Sequence, residues 1–379
     1  MVDLASVVRP GDGIICGQAC AEPQTLVEAL VEQRASFSGA RLFLGASYAG
    51  IVRPEHADHL RLSSYGGIGR NRALADAGVL DIWPVPYSRL GALIRNQKIK
   101  CDVVLVQVSP PNARGEYSLG LAADYLIPAL ESARAVVAEV NDRVPWTHTG
   151  RLFREGEFSL LVHSSRPPAA APAAKRRGFE EAIAGQAAAW IPDGATLEFG
   201  IGALPDAVCD FLGERKGLRV HSGTVGDGIA KLGASEVDCA MLIGSRQLFD
   251  FARDNPAVRL RSSEYTHHPK VLSEIDRFVA VNSALEVDLT GQVNSEVAGG
   301  SYVGAVGGAP DFTRAASQSR GGVSIIMIPS SRIVERLGGP VSVARSDAGV
   351  VVTEHGSADL RGCSLAQRAQ RLRKIASLT

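Results

Sequence analysis

The sequence has no net charge, because 40 Lys and Arg residues balance 40 Asp and Glu residues among 379. Nucleic-acid-binding domains usually carry a basic excess, so this balance counts against that class. No apolar run approaches the roughly 18 residues that a membrane-spanning helix needs. The longest runs, residues 103–108 and 323–328, have the length of buried strands. We therefore expect neither a nucleic-acid nor a membrane partner.

Cysteines are also scarce, with six in the whole chain and no spacing typical of a zinc site. The segment His56-Ala57-Asp58-His59 lacks a third ligand, so we predict no metal site. The first residues contain neither a basic region nor an apolar stretch, so we expect no signal peptide. These features favour a cytoplasmic protein whose thiols are reduced.

Glycine, by contrast, is abundant, with 40 residues, and the chain is long enough for two domains. Residues 164–178 combine three prolines with small residues and the basic trio 175–177, which is typical of a linker. We predict an N-terminal domain at 1–165, a linker at 166–178 and a C-terminal domain at 179–379. Each half opens with a Pro-Asp-Gly or Pro-Gly-Asp turn, an apolar run, a small-residue turn and a helix, which indicates an internal duplication.

Several apolar runs end at Gly, Pro or Asn, as strands covered on both faces do in parallel sheets. The sequence thus predicts two related α/β domains with mostly parallel sheets. The candidate strands are residues 41–44, 103–109, 135–140, 219–221, 240–243, 278–281, 323–328 and 349–353.

Two glycine segments are candidates for ligand contact. Gly200-Ile201-Gly202 ends a predicted strand and opens a helix, where free backbone N–H groups favour an anion. Residues 303–312 contain three glycines, and their N–H groups are able to face a thioester or carboxylate oxygen. A plain tight turn and a plain glycine loop would explain the same residues.

Taken in order, the motifs resemble those of the acetyl-CoA hydrolase/4-hydroxybutyrate CoA-transferase family, and the resemblance covers nearly the whole chain. The run 282–296 is the most specific of the matching segments. The others are Pro10-Gly11-Asp12, residues 108–120, Glu139-Val140-Asn141, Gly200-Ile201-Gly202 with Pro205-Asp206, His221 with Asp227-Gly228, Gly307-Gly308, and residues 352–362.

The resemblance implies two CoA-transferase-type α/β domains with an acyl-CoA thioester held in the cleft between them. It implies that Gly200, Ile201, Gly202, Val303 and Gly304 bind the CoA substrate. It also implies that Asn282 and the N–H groups near Gly307 and Gly308 polarise the thioester carbonyl. In this family a glutamate attacks the thioester and then carries CoA as a glutamyl thioester, which is covalent catalysis.

The chain departs from the family at that glutamate. Its family motif has the form His-Thr-Glu-Met-x-x-Asp-Gly, and here residues 221–228 read His-Ser-Gly-Thr-Val-Gly-Asp-Gly. Gly223 therefore occupies the glutamate position. Because it has no side chain, it cannot form the acyl-enzyme anhydride that the attack of the family glutamate on the thioester produces. We expect an enlarged cavity at Gly223, and the first candidates for a substitute acid are Asp227, Glu296 and Glu354.

Three functions remain open at this point. The first is an acyl-CoA-processing enzyme with altered chemistry, either hydrolysis or a carbanion reaction that makes or breaks a C–C bond. The second is a CoA-transferase between acyl-CoA and a small carboxylic acid that uses a displaced acid, and the third is a non-catalytic acyl-CoA-binding partner subunit. We expect no permanently bound cofactor, coenzyme A as part of the substrate, and a homo-oligomer.

Overall fold

A computed structural model of the chain describes residues 2–171 and 178–377, and these fall into two compact units. The first unit contains residues 2–85, 89–171 and 240–264, and the second contains residues 86–88, 178–239 and 265–377. Residues 172–177 of the predicted linker lie outside the described residues, and the predicted boundaries at 165 and 179 stay a prediction.

The strands up to residue 171, apart from the two-residue strand His148–Thr149, build a parallel sheet. Its strand order is β4-β3-β2-β1-β5-β6-β8, and every pairing in it is parallel. The strands are β1 (Gly13–Cys16), β2 (Arg41–Leu44), β3 (Arg61–Ser64), β4 (Leu80–Ile82), β5 (Val103–Val108), β6 (Ala135–Asn141), β7 (His148–Thr149) and β8 (Leu160–Ser164). The helices are α1 (Gln24–Glu32), α2 (Asn71–Asp76), α3 (Leu90–Arg95) and α4 (Leu126–Ser132).

The remaining elements begin at residue 179. The helices are α5 (Phe179–Ala188), α6 (Ala203–Asp210), α7 (Arg246–Ala252), α8 (Ser263–Thr266), α9 (Pro269–Ser273), α10 (Ala309–Gln318) and α11 (Leu365–Ile375). The strands are β9 (Thr196–Phe199), β10 (Arg219–Val225), β11 (Val237–Leu242), β12 (Val258–Leu260), β13 (Phe278–Ser283), β14 (Glu286–Asp288), β15 (Val293–Asn294), β16 (Val297–Ala298), β17 (Ser301–Tyr302), β18 (Val323–Met327), β19 (Ile333–Val334), β20 (Val350–Thr353) and β21 (Gly356–Asp359).

The second unit is built on a sheet in which the strands run in the order β21-β20-β18-β13-β9-β10. The neighbours are parallel except for β20 and β21, which form an antiparallel edge. One apolar cluster of this unit packs Phe278 of β13 and Phe312 of α10 together. The predicted α/β class with mostly parallel sheets is confirmed, and all the candidate strands form.

Both openings that suggested a duplication fold as strand, turn and helix. In the first unit β1 leads to α1, and in the second β9 leads to α6. Each opening strand lies inside its sheet, β1 between β2 and β5 and β9 between β13 and β10. All six cysteines are free, and five of them are buried. None of the helices in the described part of the chain is long and apolar enough to cross a membrane.

Candidate active site

The candidate site lies at the carboxyl ends of three neighbouring strands of the second unit. β9 runs into Gly200, β10 carries Gly223 near its end, and β13 carries Asn282 near its end. Ligands of parallel α/β sheets bind outside the carboxyl ends of the strands, where loops and helix N-termini meet. The parallel pairing thus collects residues that are as much as 82 positions apart in sequence.

The space next to Gly223 is filled rather than open. A β-carbon added to Gly223 in ideal geometry would lie 2.9 Å from Nε2 and 3.0 Å from Cε1 of His267, and 3.4 Å from Cε2 of Phe312. Protein side chains are packed too tightly for such an approach without movement. The expectation of an enlarged cavity is therefore wrong. The His267 ring occupies the space that the first atoms of a side chain at Gly223 would enter.

The same ring also touches the predicted glycine loop. A β-carbon on Gly308 would lie 2.7 Å from Nε2 of His267 and 2.9 Å from Cε2 of Phe312. The structure thus brings Gly223 and Gly308 together around one imidazole, although 85 residues separate them in sequence. A side chain at either position would displace the ring.

A short segment, residues 86–88, is hydrogen-bonded to the glycine loop, which comprises residues 303–312. The Tyr87 N–H donates to the Gly307 carbonyl at 2.9 Å. The Ser88 hydroxyl and N–H both donate to the Asp311 carboxylate, at 2.7 Å and 3.2 Å. Burial raises the pKa of Asp311 to about 6, and the two Ser88 hydrogen bonds oppose that rise. This clamp fixes the loop that leads into α10.

His267 is held by aromatic rings and by its neighbour in sequence. Its ring centroid lies 4.9 Å from that of Tyr87 and 4.6 Å from that of Phe312. Its Nδ1 atom is 2.9 Å from the Thr266 hydroxyl. Burial, followed by the nearby His221, lowers the pKa of His267 to about 3. The imidazole is therefore uncharged at neutral pH.

Asn282 has a carboxyl partner that the sequence reasoning missed. Its Nδ2 donates to Oε2 of Glu198 at 2.7 Å. Glu198 is only 3% exposed, and burial raises its pKa to about 8, against the lowering effect of hydrogen bonds from Asn282 and the Val281 backbone. The signal was present in the sequence, because Glu198 is the one charged residue in the strand-like run 195–199.

The roles of the predicted substitute acids stay a prediction, and the structure shows their local surroundings. Glu296 accepts hydrogen bonds from the Ser342 hydroxyl at 2.7 Å and from the Tyr302 hydroxyl. Glu354 accepts from the N–H and hydroxyl of Ser330, at 2.9 Å and 2.6 Å, and these bonds lower the pKa that burial alone would raise. Asp227 begins the single turn that follows β10.

The predicted CoA-binding residues lie on two segments. The Gly200 N–H donates to the Val281 carbonyl at 3.1 Å, Ile201 is 38% exposed, and Gly202 precedes α6 with a φ of 117°. The N–H groups of Val303 and Gly304 both donate to the Glu296 carbonyl. The positive φ at Gly202 explains why glycine is needed there, but none of these contacts tests CoA binding.

Two domain models of one family match the chain. The acetyl-CoA hydrolase/transferase N-terminal domain matches residues 1–151, and the C-terminal domain of the same family matches residues 244–377. A relative from Clostridium kluyveri, 4-hydroxybutyrate coenzyme A transferase, is 34% identical over 96% of this chain and 90% of its own length.

Solved structures are similar to this chain over nearly its whole length. A structure of RipA from Yersinia pestis superposes with a TM-score of 0.93 at 28% identity, covering 98% of this chain and 92% of that one. A structure of 4-hydroxybutyrate CoA-transferase from Porphyromonas gingivalis gives a TM-score of 0.81 at 30% identity, with coverage of 98% and 92%.

Proposed function

Because this chain belongs to the acetyl-CoA hydrolase/transferase family and is an enzyme of that family, we propose that it hydrolyses acyl-CoA thioesters without a glutamyl-CoA intermediate. Water supplies the attacking oxygen, the C–S bond breaks, and the products are a carboxylic acid and the CoA thiol. The observation that carries the proposal is the contact between Gly223 and His267. It leaves no carboxylate at the position that the family nucleophile would take, and an uncharged ring occupies the space beside it.

The remaining parts of the site support catalysis rather than binding alone. Asn282 is held by a buried carboxyl group, and the glycine loop is clamped by Tyr87 and Ser88. Groups fixed in this way stabilise a developing oxyanion without reorganising during the reaction. We therefore assign Asn282 and the N–H groups near Gly307 and Gly308 to the thioester oxygen.

The experiment is a thiol-release assay with acetyl-CoA, butyryl-CoA, succinyl-CoA and aromatic acyl-CoAs. The proposal expects thiol release from at least one of these at a rate that added acetate or succinate does not change. A rate that requires a carboxylate acceptor would contradict hydrolysis. Absence of thiol release and of CoA exchange with every acyl-CoA would contradict the proposal as a whole.

One observation favours a second candidate, CoA transfer to a small carboxylic acid through a displaced carboxylate. Glu198 is a buried carboxyl group beside Asn282 whose pKa is close to neutral, and such groups are frequent at active sites. In this case Glu198→Gln would abolish CoA exchange with a labelled carboxylate. Under the hydrolytic proposal wild type shows no such exchange from the start.

CoA binding by Gly200, Ile201, Gly202, Val303 and Gly304 belongs to the same proposal, as does assembly into a homo-oligomer. What supports the binding role is the position of Gly200 and Gly202 between a strand and a helix N-terminus. Light scattering on the purified chain tests the assembly, and a monomer at micromolar concentration would contradict it.

A further inference from the structure

The feature near Gly223 that the preceding account leaves unused is a ring nitrogen of a buried histidine. His267 is 2% exposed, and its Nδ1 is close to the Thr266 hydroxyl. Its Nε2 makes no hydrogen bond to any residue in the ranges 2–171 and 178–377. An imidazole nitrogen without a protein partner can donate to, or accept from, a bound ligand.

Packing directs this atom toward Gly223 and Gly308. Nε2 is the His267 atom nearest to the β-carbon positions of both Gly223 and Gly308. Tyr87 and Phe312 pack against the ring, and the Tyr87 backbone is tied to Gly307. The absence of a side chain at Gly223 therefore has a second consequence beyond the loss of the nucleophile. It leaves the space that the His267 imidazole occupies.

The surroundings favour an uncharged ring. The titratable group that perturbs His267 is His221, whose own Nε2 is 2.9 Å from the Thr266 carbonyl. The other ring neighbours in the second unit are the aromatic rings of Tyr87 and Phe312. A neutral imidazole has one N–H donor and one acceptor nitrogen. When the Thr266 hydroxyl donates to Nδ1, the proton resides on Nε2.

We propose that the Nε2–H group of His267 donates a hydrogen bond to the thioester carbonyl oxygen of the substrate and is a catalytic residue of this site. The proposal rests on the hydrolytic function above. As water attacks the carbonyl carbon, negative charge develops on the oxygen, and the Nε2–H dipole stabilises it. The C–S bond then breaks, the thiolate leaves with the proton that water gives up, and the imidazole keeps its own proton throughout.

A donor role fits this environment better than a base role. A general base must become a cation during the reaction, and burial among aromatic rings disfavours the imidazolium ion. Neutral histidines whose pKa is lowered are known to act as electrophilic hydrogen-bond donors to carbonyl oxygens. The substrate class that suits this donor is a carbonyl compound whose oxygen gains charge, as a thioester does.

Two substitutions separate the donor role from a base role and from simple packing. His267→Gln keeps an N–H group near the Nε2 position, whereas His267→Phe fills the ring space without a donor. We expect His267→Phe to lower kcat about 100- to 1000-fold, the usual effect of losing one oxyanion donor, with KM changed less than kcat. His267→Gln should retain most of the activity. Matched controls are His163→Gln and His163→Phe, because His163 is exposed on β8.

Nitrogen-15 spectra of histidine in the wild-type protein provide a readout that needs no turnover. The expected result is a neutral His267 with its proton on Nε2 from pH 5 to pH 8. A proton on Nδ1, a cationic ring at pH 6, or equal loss of kcat in the Gln and Phe variants would overturn the proposal. Absence of thiol release by wild type would instead refute the hydrolytic function, and the spectra would still decide the state of His267.

Discussion

Glu198 and Asn282 are joined side chain to side chain across the neighbouring strands β9 and β13, with Oε2 and Nδ2 2.7 Å apart. The strand register pairs Glu198 with Ala280, so Glu198 and Asn282 lie on the same face of the sheet. The predicted carbonyl-polarising amide is therefore oriented by a carboxyl group that is itself buried. The protonation state of Glu198 therefore affects both the orientation of Asn282 and the free energy of unfolding.

Glu198→Gln should remove a pH dependence of stability. The pKa of Glu198 rises from 4.5 to about 8 on folding, so its contribution is fully present below pH 4.5 and is lost as pH rises to about 8. This shift corresponds to about 5 kcal/mol at most. Urea unfolding at pH 5 and pH 8.5 should show the loss in wild type and a smaller loss in Glu198→Gln. Glu335→Gln, at an exposed position, is the control, and equal losses in all three proteins would contradict the assignment.

His267 should produce the opposite pH dependence. Its pKa falls from 6.5 to about 3 on folding, so its contribution is present above pH 6.5 and is lost as pH falls toward 3. His267→Gln does not titrate and should lose less unfolding free energy than wild type between pH 7 and pH 4. His163→Gln should behave as wild type does. Parallel curves for wild type and His267→Gln would show that the ring is not desolvated as described.

The contact between Gly223 and His267 predicts coupling between substitutions. Gly223→Ala places a methyl group 2.9 Å from Nε2 and should cost roughly 1–3 kcal/mol of unfolding free energy through overpacking. In a His267→Ala background the ring is absent, so the added methyl group should cost much less. Gly213→Ala is the control, because no atom of the described residues lies within 4 Å of a β-carbon added there. Additive effects in the double-mutant cycle would contradict the contact.

Asn282→Ala should lower kcat/KM for acyl-CoA hydrolysis about 100- to 1000-fold, because one donor to the oxyanion is lost. The change also leaves Glu198 without its side-chain partner, so the thermal midpoint must be measured alongside the rate. Asn294→Ala removes another buried amide in the second unit and serves as a control for folding. Unchanged turnover in a folded Asn282→Ala protein would remove Asn282 from the site.

CoA binding is tested at Gly200. Among the residues that the structure describes, a β-carbon there would meet only Cγ of Pro205, at 3.8 Å, which is an ordinary contact. Gly200→Ala should therefore fold normally but weaken CoA binding if the backbone approaches the ligand at this turn. Calorimetry with CoA and acetyl-CoA measures the affinity, with Gly213→Ala as control. No binding by wild type at millimolar ligand, or equal affinity in wild type and Gly200→Ala, would contradict the assignment.

Much of the fold was predictable because the strands of parallel sheets are short apolar runs that end in glycine, proline or asparagine. Residues 219–221, for example, marked β10, although the strand continues through Gly223 to Val225. The departure at Gly223 was visible because His221 and Asp227-Gly228 keep their spacing around it. Strand position and motif register are thus properties of local sequence.

The role of His267 was not predictable from local sequence. It lies in the polar run Tyr265-Thr266-His267-His268-Pro269, which has the composition of an exposed turn. Its partners Gly223 and Gly308 are 44 and 41 positions away, and only packing of three segments reveals the contact. The space expected to be open at Gly223 is therefore filled by His267, which no sequence motif connects with Gly223.

The structure also changes what a restored nucleophile should do. Gly223→Glu alone would force the new side chain against the His267 ring, so we expect no CoA exchange and a lower thermal midpoint. Gly223→Glu combined with His267→Ala opens the space, and CoA exchange should appear because a positioned nucleophile lowers the barrier by on the order of 7 kcal/mol. Exchange by the single variant equal to that of the double variant would contradict the steric account.

Wild-type CoA exchange is the most direct test of the central claim that this chain does not use the family's glutamyl-CoA route. The wild-type protein is incubated with acetyl-CoA and labelled acetate, and the incorporation of label into acetyl-CoA is measured. Intact-protein mass spectrometry then shows whether CoA is covalently attached. The account predicts no exchange above the rate without enzyme and no CoA adduct. Ping-pong exchange together with a CoA adduct on a carboxylate of the chain would contradict it.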